Sequence, residues 1–418
     1  MSQARWYFGW NIVAAGAFLT LLSTGMRLGI GPFFLPIAED LALSRSVLAS
    51  IIATGMLSYG LAMPLAGHLV VRWGTRRVLL LGAAIVLGSA VWAVLARNWV
   101  EFMLSFGILM SVGFSFTSPV ALTPVISRWF TRQRGMALFF LSTGSMAGIG
   151  VMTPLLAHAI AEMGWRATLF GFAVGFAALT LPIAFFVLRE NAPAHADLLP
   201  GDTPAAGAQA AGAAPPGSVR DAMGTLAFWQ VFIGLFACGF SMNLMGTHAV
   251  PMLMDHGFSP ETSAHGVGLI GIVAIAGTIM LGRFADNVQR RNLLAIIYFV
   301  RGLGFFALVA VGMQWELYLA ATIGGIVWAG SLALSSAILA DVYGVKRVGV
   351  LFGVTFLGHQ IGGAISSWLG GWGYETFGTH WVAFGAAGVL LIAAALVSLR
   401  LPVRHLPVRA PAGAGAAG

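Results

Sequence analysis

The chain alternates between long apolar segments and short polar connections. Twelve segments of about 20 predominantly apolar residues follow one another, and a helix needs about this length to cross the hydrocarbon core of a bilayer. The pattern predicts an all-α membrane protein with twelve transmembrane helices. The predicted spans are 8–36, 46–70, 78–96, 101–126, 134–160, 165–188, 226–254, 262–284, 292–313, 316–340, 347–373 and 380–400.

One connection is much longer than the others and separates two sets of six segments. It is rich in Ala, Pro and Gly, a composition that cannot bury a core and is typical of a flexible linker. We therefore predict two pseudo-symmetric six-helix bundles. The predicted divisions are an N-terminal bundle over 1–190, a flexible cytoplasmic linker over 191–221, a C-terminal bundle over 222–402 and a disordered cytoplasmic tail over 403–418.

The two predicted bundles also repeat in sequence. "LPIAEDLALS" at 35–44 aligns with "VPMLMDHGFS" at 250–259, which pairs Asp40 with Asp255. The same offset pairs Gly67 with Gly282. Duplicated six-helix units place the central site of many transporters between their two halves.

Composition narrows the class of protein further. Hydrophobic residues make up 58% of the chain and charged residues only 9%, whereas a soluble domain carries about 25% charged residues. The net charge of +8 does not indicate a nucleic-acid partner, because the basic residues fall in short loops. Cys238 is the single cysteine, which excludes a disulfide within the chain.

The placement of basic residues predicts the orientation. With the N-terminus inside, the inner loops and tails hold 17 Lys and Arg residues and the outer loops hold three. This asymmetry predicts a multi-pass protein of the cell (inner) membrane with both termini cytoplasmic. No phosphate-binding loop, metal-ligand spacing or nucleophile elbow is found in the sequence, so we expect no enzyme activity, no cofactor and no metal.

Two arginines lie near the middle of predicted helices. Arg27 is 12 residues before Glu39, about 18 Å along a helix, and Arg301 lies at a similar depth. The Asp and Glu residues all fall in loops or at helix ends, so a transported anion is the expected counter-charge. The alternative is that each arginine bonds helix-end carbonyls or reaches an interface, and that Arg301 braces the helices around the site.

Other polar and aromatic residues are candidates for the same site. His248 and His359 each interrupt an apolar run, and a histidine there either packs through a hydrogen bond or carries a coupled proton. Gln360 follows His359, and the aromatic residues Tyr59 and Trp328 are candidates to line the cavity. The predicted substrate-binding residues are Arg27, Arg301, His248, His359, Gln360, Tyr59 and Trp328, with His248 and His359 also predicted to couple protons.

Two loops resemble a signature of the major facilitator superfamily. "GHLVVRWGTRR" at 67–77 and "GRFADNVQRR" at 282–291 are similar to the Gly-x-x-x-Asp-Arg-x-Gly-Arg-Arg pattern, although Val71 replaces the acid in the first copy. The resemblance implies a cytoplasmic latch that breaks when the halves rock. The implied gating residues are Gly67, Arg72, Gly74, Arg76, Gly282, Asp286 and Arg290.

Within the superfamily, "WFTRQRGMALFFLSTGSMAG" at 129–148 resembles the helix 5 signature of bacterial monocarboxylate porters, although Phe139 stands where that signature has Gly. After Arg27, "LGIGPFFLPI" is similar to the cation followed by Phe-Phe in helix 1 of that family. The family includes a group that exchanges oxalate for formate. The resemblance implies carboxylate transport.

These observations predict a secondary transporter that moves a small organic anion, a monocarboxylate or short dicarboxylate, by alternating access. Proton symport and anion exchange both remain open. The alternatives are an exporter of drug-like or other small solutes from the same superfamily and a non-transporting membrane sensor of the same fold. The expected partners are the carboxylate, a proton or counter-anion and the lipid bilayer, and the protein is expected to be a monomer.

Overall fold

The computed structural model describes residues 7–130, 133–192, 219–285, 288–328 and 330–402. Within them, eleven helices are long and apolar enough to cross a membrane. One, Arg134–Pro182, bends at Gly164, where φ is +79°, a value that glycine adopts without strain. That helix therefore makes two crossings, and the predicted all-α membrane fold with twelve transmembrane helices is confirmed.

In chain order the transmembrane helices are α1 (Gly9–Leu28, continued by Gly31–Asp40), α2 (Arg45–Trp73), α3 (Thr75–Leu95), α4 (Trp99–Phe116, with the π-helix Met103–Met110 inside it, continued by Pro119–Trp129), α5 and α6 (the two parts of Arg134–Pro182, the second continued by the π-helix Ile183–Val187), α7 (Leu226–Asp255), α8 (Pro260–Ala285), α9 (Arg290–Val309), α10 (Gln314–Ile326, continued by Gly330–Tyr343), α11 (Val345–Phe377) and α12 (Trp381–Ser398). A short helix, Val219–Met223, precedes α7. Most of the predicted linker, 193–218, and the predicted tail, 403–418, lie outside the described residues.

Helix ends follow local chemistry. The Ser44 side chain accepts a hydrogen bond from the amide of Val47 and so caps α2, because the first amides of a helix lack partners within it. Gly74 joins α2 to α3 with φ of +85°. An even number of crossings places both chain ends at one end of the bundle, which we call the terminal end, and the opposite end is the distal end.

Within the described residues, three helices are interrupted inside the membrane, and one of these breaks lies in α4 between Phe116 and Pro119. The predicted span 8–36 is not continuous, because α1 breaks after Leu28 and resumes at Gly31. Helix α10 breaks between Ile326 and Gly330. Breaks of this kind expose backbone groups, which are tolerated in a membrane only inside protein or beside a cavity.

Buried apolar side chains form two clusters, one drawn almost entirely from residues 12–188 and the other from 222–401. Between the two sets of helices, α2 packs along α11, α5 along α8, and α1 against α7. Glycines allow these close approaches: a Cβ at Gly268 of α8 would lie 3.0 Å from the carbonyl oxygen of Gly150 of α5. The centre of the molecule is therefore bounded by α1 and α2 on one side and α7 and α11 on the other.

Candidate functional site at the centre of the bundle

Arg27 lies at the break of α1 and has only weak partners. Its Nη1 donates to the Met56 Sδ at 3.3 Å and to the Asn243 Oδ1 at 3.5 Å. Its guanidinium carbon lies 4.3 Å from the centre of the Tyr59 ring, and its buried Nε has no hydrogen-bond partner among the described residues. A guanidinium has five donors and a thioether is a weak acceptor, so Arg27 retains unused capacity to bind an anion.

Asn243 is a further candidate for the site that the sequence prediction missed. It lies in α7, in the other half of the molecule, and is fully buried. Its Nδ2 donates to the Gly239 carbonyl at 2.8 Å, which directs Oδ1 toward Arg27. An asparagine inside a transmembrane segment is itself a sign of function, and that signal was present in "GFSMNLMG".

His359 and Gln360 lie side by side in α11 and keep their polar atoms unpaired. Both side chains are buried, and the two ring nitrogens of His359 and both amide atoms of Gln360 have no hydrogen-bond partner within the described part of the chain. Gln360 packs against Gly60 of α2, the residue after Tyr59. A buried polar group without a partner costs about 1–3 kcal/mol, so such a group indicates a place that a ligand or water completes.

His248 has a different environment from His359. Its Nε2 lies 2.7 Å from the Ser367 carbonyl oxygen, and its ring packs against Phe34 at 4.9 Å between centres. Because a carbonyl oxygen only accepts hydrogen bonds, Nε2 carries the hydrogen and donates the bond to the Ser367 carbonyl of α11. This histidine therefore joins α1, α7 and α11.

Arg301 and Trp328 lie in a separate environment from Arg27. Arg301 is 1% exposed, and its Nη2 donates to the carbonyls of Val327 and Trp328 in the break of α10. Its Nη1 donates to the Cys238 Sγ at 3.4 Å. Arg301 and Trp328 line a cavity of only about 10 Å³. Arg27 lines a different cavity, so the two arginines do not share one.

The cavity beside Arg27 is larger, about 40 Å³, and lies between α1, α2 and α4. Its wall is mostly apolar. The lining residues are Met26, Arg27, Ile30, Ile52, Gly55, Met56, Phe106, Gly107, Met110, Ser111 and Phe114.

A polar cluster joins the two halves at the distal end. Arg45 at the start of α2 forms a two-pronged ion pair with Asp255 at the end of α7, and its Nη2 donates at 2.9 Å. The guanidinium also lies 4.2 Å from the centre of the Tyr374 ring, and the His380 Nε2 lies 2.9 Å from the same carboxylate. Burial lowers the pKa of the neighbouring His256 below its usual range.

Asp40, the repeat equivalent of Asp255, is bonded differently. Its carboxylate accepts from the Trp165 Nε1 at 3.0 Å and the Arg166 Nε at 2.9 Å, and both partners belong to its own half. The repeat in the sequence therefore located both carboxylates, but only the structure shows that Asp255 alone reaches across.

At the terminal end, the first copy of the loop signature forms hydrogen bonds with residues of its own half. The Arg76 amide donates to the Glu190 Oε1 at 3.1 Å, and its Nη2 donates to the Leu188 carbonyl at 3.1 Å. A Cβ at Gly74 would collide with the Glu190 carboxylate. Glu190, shortly after α6, is therefore the acid that contacts this loop.

The remaining predicted gating residues are placed as follows. Arg290 pairs with Asp341, again within one half. A Cβ at Gly67 would lie 3.8 Å from the Val120 Cγ1, Arg72 is exposed, and Gly282 lies in α8. Asp286 lies outside the described residues.

These features define a polytopic α-helical membrane protein with an arginine between its halves, and comparison with known sequences gives the family. The profile of the Major Facilitator Superfamily matches residues 13–317 and 276–417. The chain therefore belongs to this superfamily, as the loop signatures predicted. Because its members are transporters, the chain is a multi-pass membrane transporter and not an enzyme.

Two relatives and one solved structure support this placement. Human monocarboxylate transporter 11 is 28% identical over 419 residues, covering 97% of this chain and 85% of the relative. A gallate transporter of Pseudomonas putida is 26% identical over 399 residues, covering 86% of each chain. The crystal structure of a bacterial homologue of the human lysosomal transporter Spinster, inward-facing and occupied, is 14% identical and matches with a TM-score of 0.71 over 95% of this chain and 97% of the other, which shows the shared fold.

Proposed function

We propose that the protein is a secondary active transporter of a small organic anion, a monocarboxylate or short dicarboxylate, that works by alternating access. The observation that carries the proposal is Arg27, a partly buried cation at a helix break whose described acceptors are a thioether and one amide oxygen. A carboxylate binds a guanidinium with two parallel hydrogen bonds. The names of the relatives, a monocarboxylate transporter and a gallate transporter, agree with an organic anion.

The site also provides a route for coupling the anion to a proton. His359 is buried, and its two ring nitrogens have no hydrogen-bond partner within the described part of the chain, so its ring is free to take up a proton but would be repelled by the other buried cations of the molecule. An anion bound at Arg27 neutralises part of that repulsion and makes protonation of His359 less costly. In this proposal the anion and the proton enter together, with His359 as the coupling residue and His248 as a contact between helices.

We further propose that the terminal end faces the cytoplasm of the cell and the distal end faces outward. The proposal rests on the 17 to three distribution of basic residues between the loops of the two ends, which is the pattern that the positive-inside rule describes. The ion pair between Arg45 and Asp255 then closes the site toward the outside.

The test of the function is uptake and binding by the purified carrier. Proteoliposomes are assayed with a panel of labelled carboxylates and organic cations, and the same compounds are screened for thermal stabilisation in detergent. We expect carboxylates to be transported and to stabilise the protein, and organic cations to do neither. Stabilisation by cations alone would overturn the proposal and favour an exporter of drug-like solutes.

A further inference from the structure

The cavity beside Arg27 has one charged residue in its wall and otherwise almost only hydrocarbon, sulfur and aromatic carbon. Of its eleven lining residues, Arg27 is the charged one and Ser111 carries the hydroxyl. Met26, Ile52 and Phe114 in this wall are buried. A cation in the wall of an otherwise apolar cavity suits a ligand with a charged head and an apolar body.

We infer that this cavity is a subsite that selects the transported anion by its apolar body, with the carboxylate at Arg27 and the hydrocarbon part between α1, α2 and α4. The inference rests on the proposed function and makes it more specific. It assigns specificity to residues of α2 and α4, namely Ile52, Met56, Phe106 and Ser111, which no sequence motif singles out.

The wall chemistry disfavours a second charge on the ligand. A dicarboxylate whose first carboxylate sits at Arg27 would place its second one among methionines and phenylalanines. An ionised carboxylate in such surroundings is strongly unfavourable unless it is paired, and among the described residues that line the cavity Arg27 is the one cation. The subsite therefore favours a monocarboxylate over a short dicarboxylate.

The dimensions of the cavity limit the size of the apolar body. A cavity of about 40 Å³ takes about three water-sized groups, since one water needs about 10–15 Å³ on this measure. Glycines set this size: a Cβ at Gly55 would lie 3.0 Å from the Gly107 carbonyl oxygen and 2.8 Å from the Ser111 Oγ. The subsite therefore fits a short or singly branched aliphatic chain.

The experiment measures affinity along a series of straight-chain monocarboxylates from acetate to octanoate, with oxalate for comparison, by thermal stabilisation and by competition for uptake. Burying one methylene is worth about a four-fold gain in affinity. We expect this gain for each of the first two or three methylenes beyond acetate and a loss in longer chains. Oxalate should bind more weakly than butanoate.

Variants place the effect at the subsite. Ser111→Leu fills the cavity from α4 and should weaken butanoate binding about ten-fold or more while leaving acetate within about two-fold, because about two methylenes lose their space. Val112→Leu, at the next residue on the same helix but outside the cavity wall, is the matched control and should change neither. If Ser111→Leu fails to fold, Phe106→Ala enlarges the cavity instead and should move the preferred chain length upward.

The outcomes separate the inference from the proposed function. A flat dependence on chain length, oxalate binding as tightly as butanoate, or chain-length profiles that neither Ser111→Leu nor Phe106→Ala alters would overturn the inference while carboxylate binding itself persists. Failure of every carboxylate to bind would overturn the proposed function, and the inference with it.

Discussion

Arg27 and Arg301 are the same residue type at similar predicted depth, yet their hydrogen-bond partners differ. Arg301 donates to two backbone carbonyls in the break of α10. Arg27 lies beside a break in α1, but its acceptors are Met56 and Asn243. The depth of a charge in a transmembrane segment is readable from sequence, whereas the acceptors around it depend on which helices meet there.

The first prediction concerns Arg27. Arg27→Gln should weaken carboxylate binding by about 2–5 kcal/mol, or about 30-fold or more, because it removes one partner of a charge-assisted pair. Arg27→Lys should restore only part of the affinity, since an ammonium lacks the planar fork. The measurement is carboxylate-induced thermal stabilisation in each variant.

Arg128→Gln is the matched control, because it removes the same charge from an exposed position. The control should bind carboxylates like the wild type. Equal stabilisation of the wild type and Arg27→Gln by carboxylates would make Arg27 a structural residue.

The second prediction concerns Arg301. Arg301→Gln should lower the thermal midpoint of the ligand-free protein, because it leaves buried carbonyls without donors at about 1–3 kcal/mol each. The affinity for carboxylates should change less than in Arg27→Gln. Arg291 lies on the same helix and donates to one carbonyl, so Arg291→Gln should lower the thermal midpoint less. A selective loss of affinity in Arg301→Gln with an unchanged midpoint would instead place Arg301 in the binding site.

The third prediction separates the two histidines. If His359 couples the proton, uptake should rise as the external pH falls between about 8 and 5, and His359→Gln should flatten that profile. His248→Gln should lower the rate but keep the profile, since His248 is bonded to the Ser367 carbonyl. The measurement is the initial uptake rate in proteoliposomes across this pH range for the wild type and both variants. An unchanged profile in His359→Gln would point to anion exchange or to entry of the protonated acid.

At the scale of elements, the sequence predicted the crossings well and the breaks poorly. Twelve helices followed from hydropathy, because the apolar length needed to span a bilayer is a property of each segment alone. The interruption at Gly29 did not follow, because a glycine in an apolar run is compatible with an unbroken helix. The contact between Asn243 and Arg27 could not be predicted for a similar reason. It depends on the packing of α1 against α7, which lie close together at Leu28 and Gly246.

The fourth prediction concerns the distal contact between α2 and α7. Asp255→Asn should raise the fraction of molecules open at the distal end, by a few-fold at most, because a partly exposed ion pair contributes about 1 kcal/mol or less. The reporter is Ala49→Cys in a Cys238→Ser background. Ala49 is buried against Gly371 of α11, so an impermeant maleimide should label it only when the halves separate.

The exchanged pair Arg45→Asp with Asp255→Arg is the control for this prediction. It restores opposite charges across the same interface and should return labelling toward the wild-type rate. If Asp255→Asn labels no faster than the wild type, the ion pair does not hold the distal end closed.

At the scale of the whole molecule, the fold consists of two pseudo-repeated sets of helices with their own buried cores, and the candidate site residues lie where the sets meet. Arg27 and Tyr59 come from the first set, and Asn243, His359 and Gln360 from the second. Sequence periodicity revealed the duplication, but the face that each helix turns toward the other half depends on packing.

The fifth prediction concerns orientation in the membrane. In the Cys238→Ser background, cysteines at Asn98 of the distal end and at Gln289 of the terminal end should react oppositely with an impermeant reagent added to intact cells. Asn98→Cys should label at once, and Gln289→Cys only after the membrane is permeabilised. The reverse order would invert the proposed topology.

The unmatched ion pair at the distal end has a consequence for how the carrier rests between cycles. The sequence offset that pairs Asp40 with Asp255 also pairs Arg45 with Pro260. Both halves therefore carry the aspartate, but only the first half carries the arginine that pairs across the interface. A bias of about 1 kcal/mol changes the ratio of two orientations about five-fold, and salt weakens an ion pair that is partly open to solvent. The empty carrier should then favour the orientation closed at the distal end in dilute media, and this preference should weaken as the salt concentration rises. The salinity of the medium would thus change the fraction of carriers that are open to substrate at the distal end.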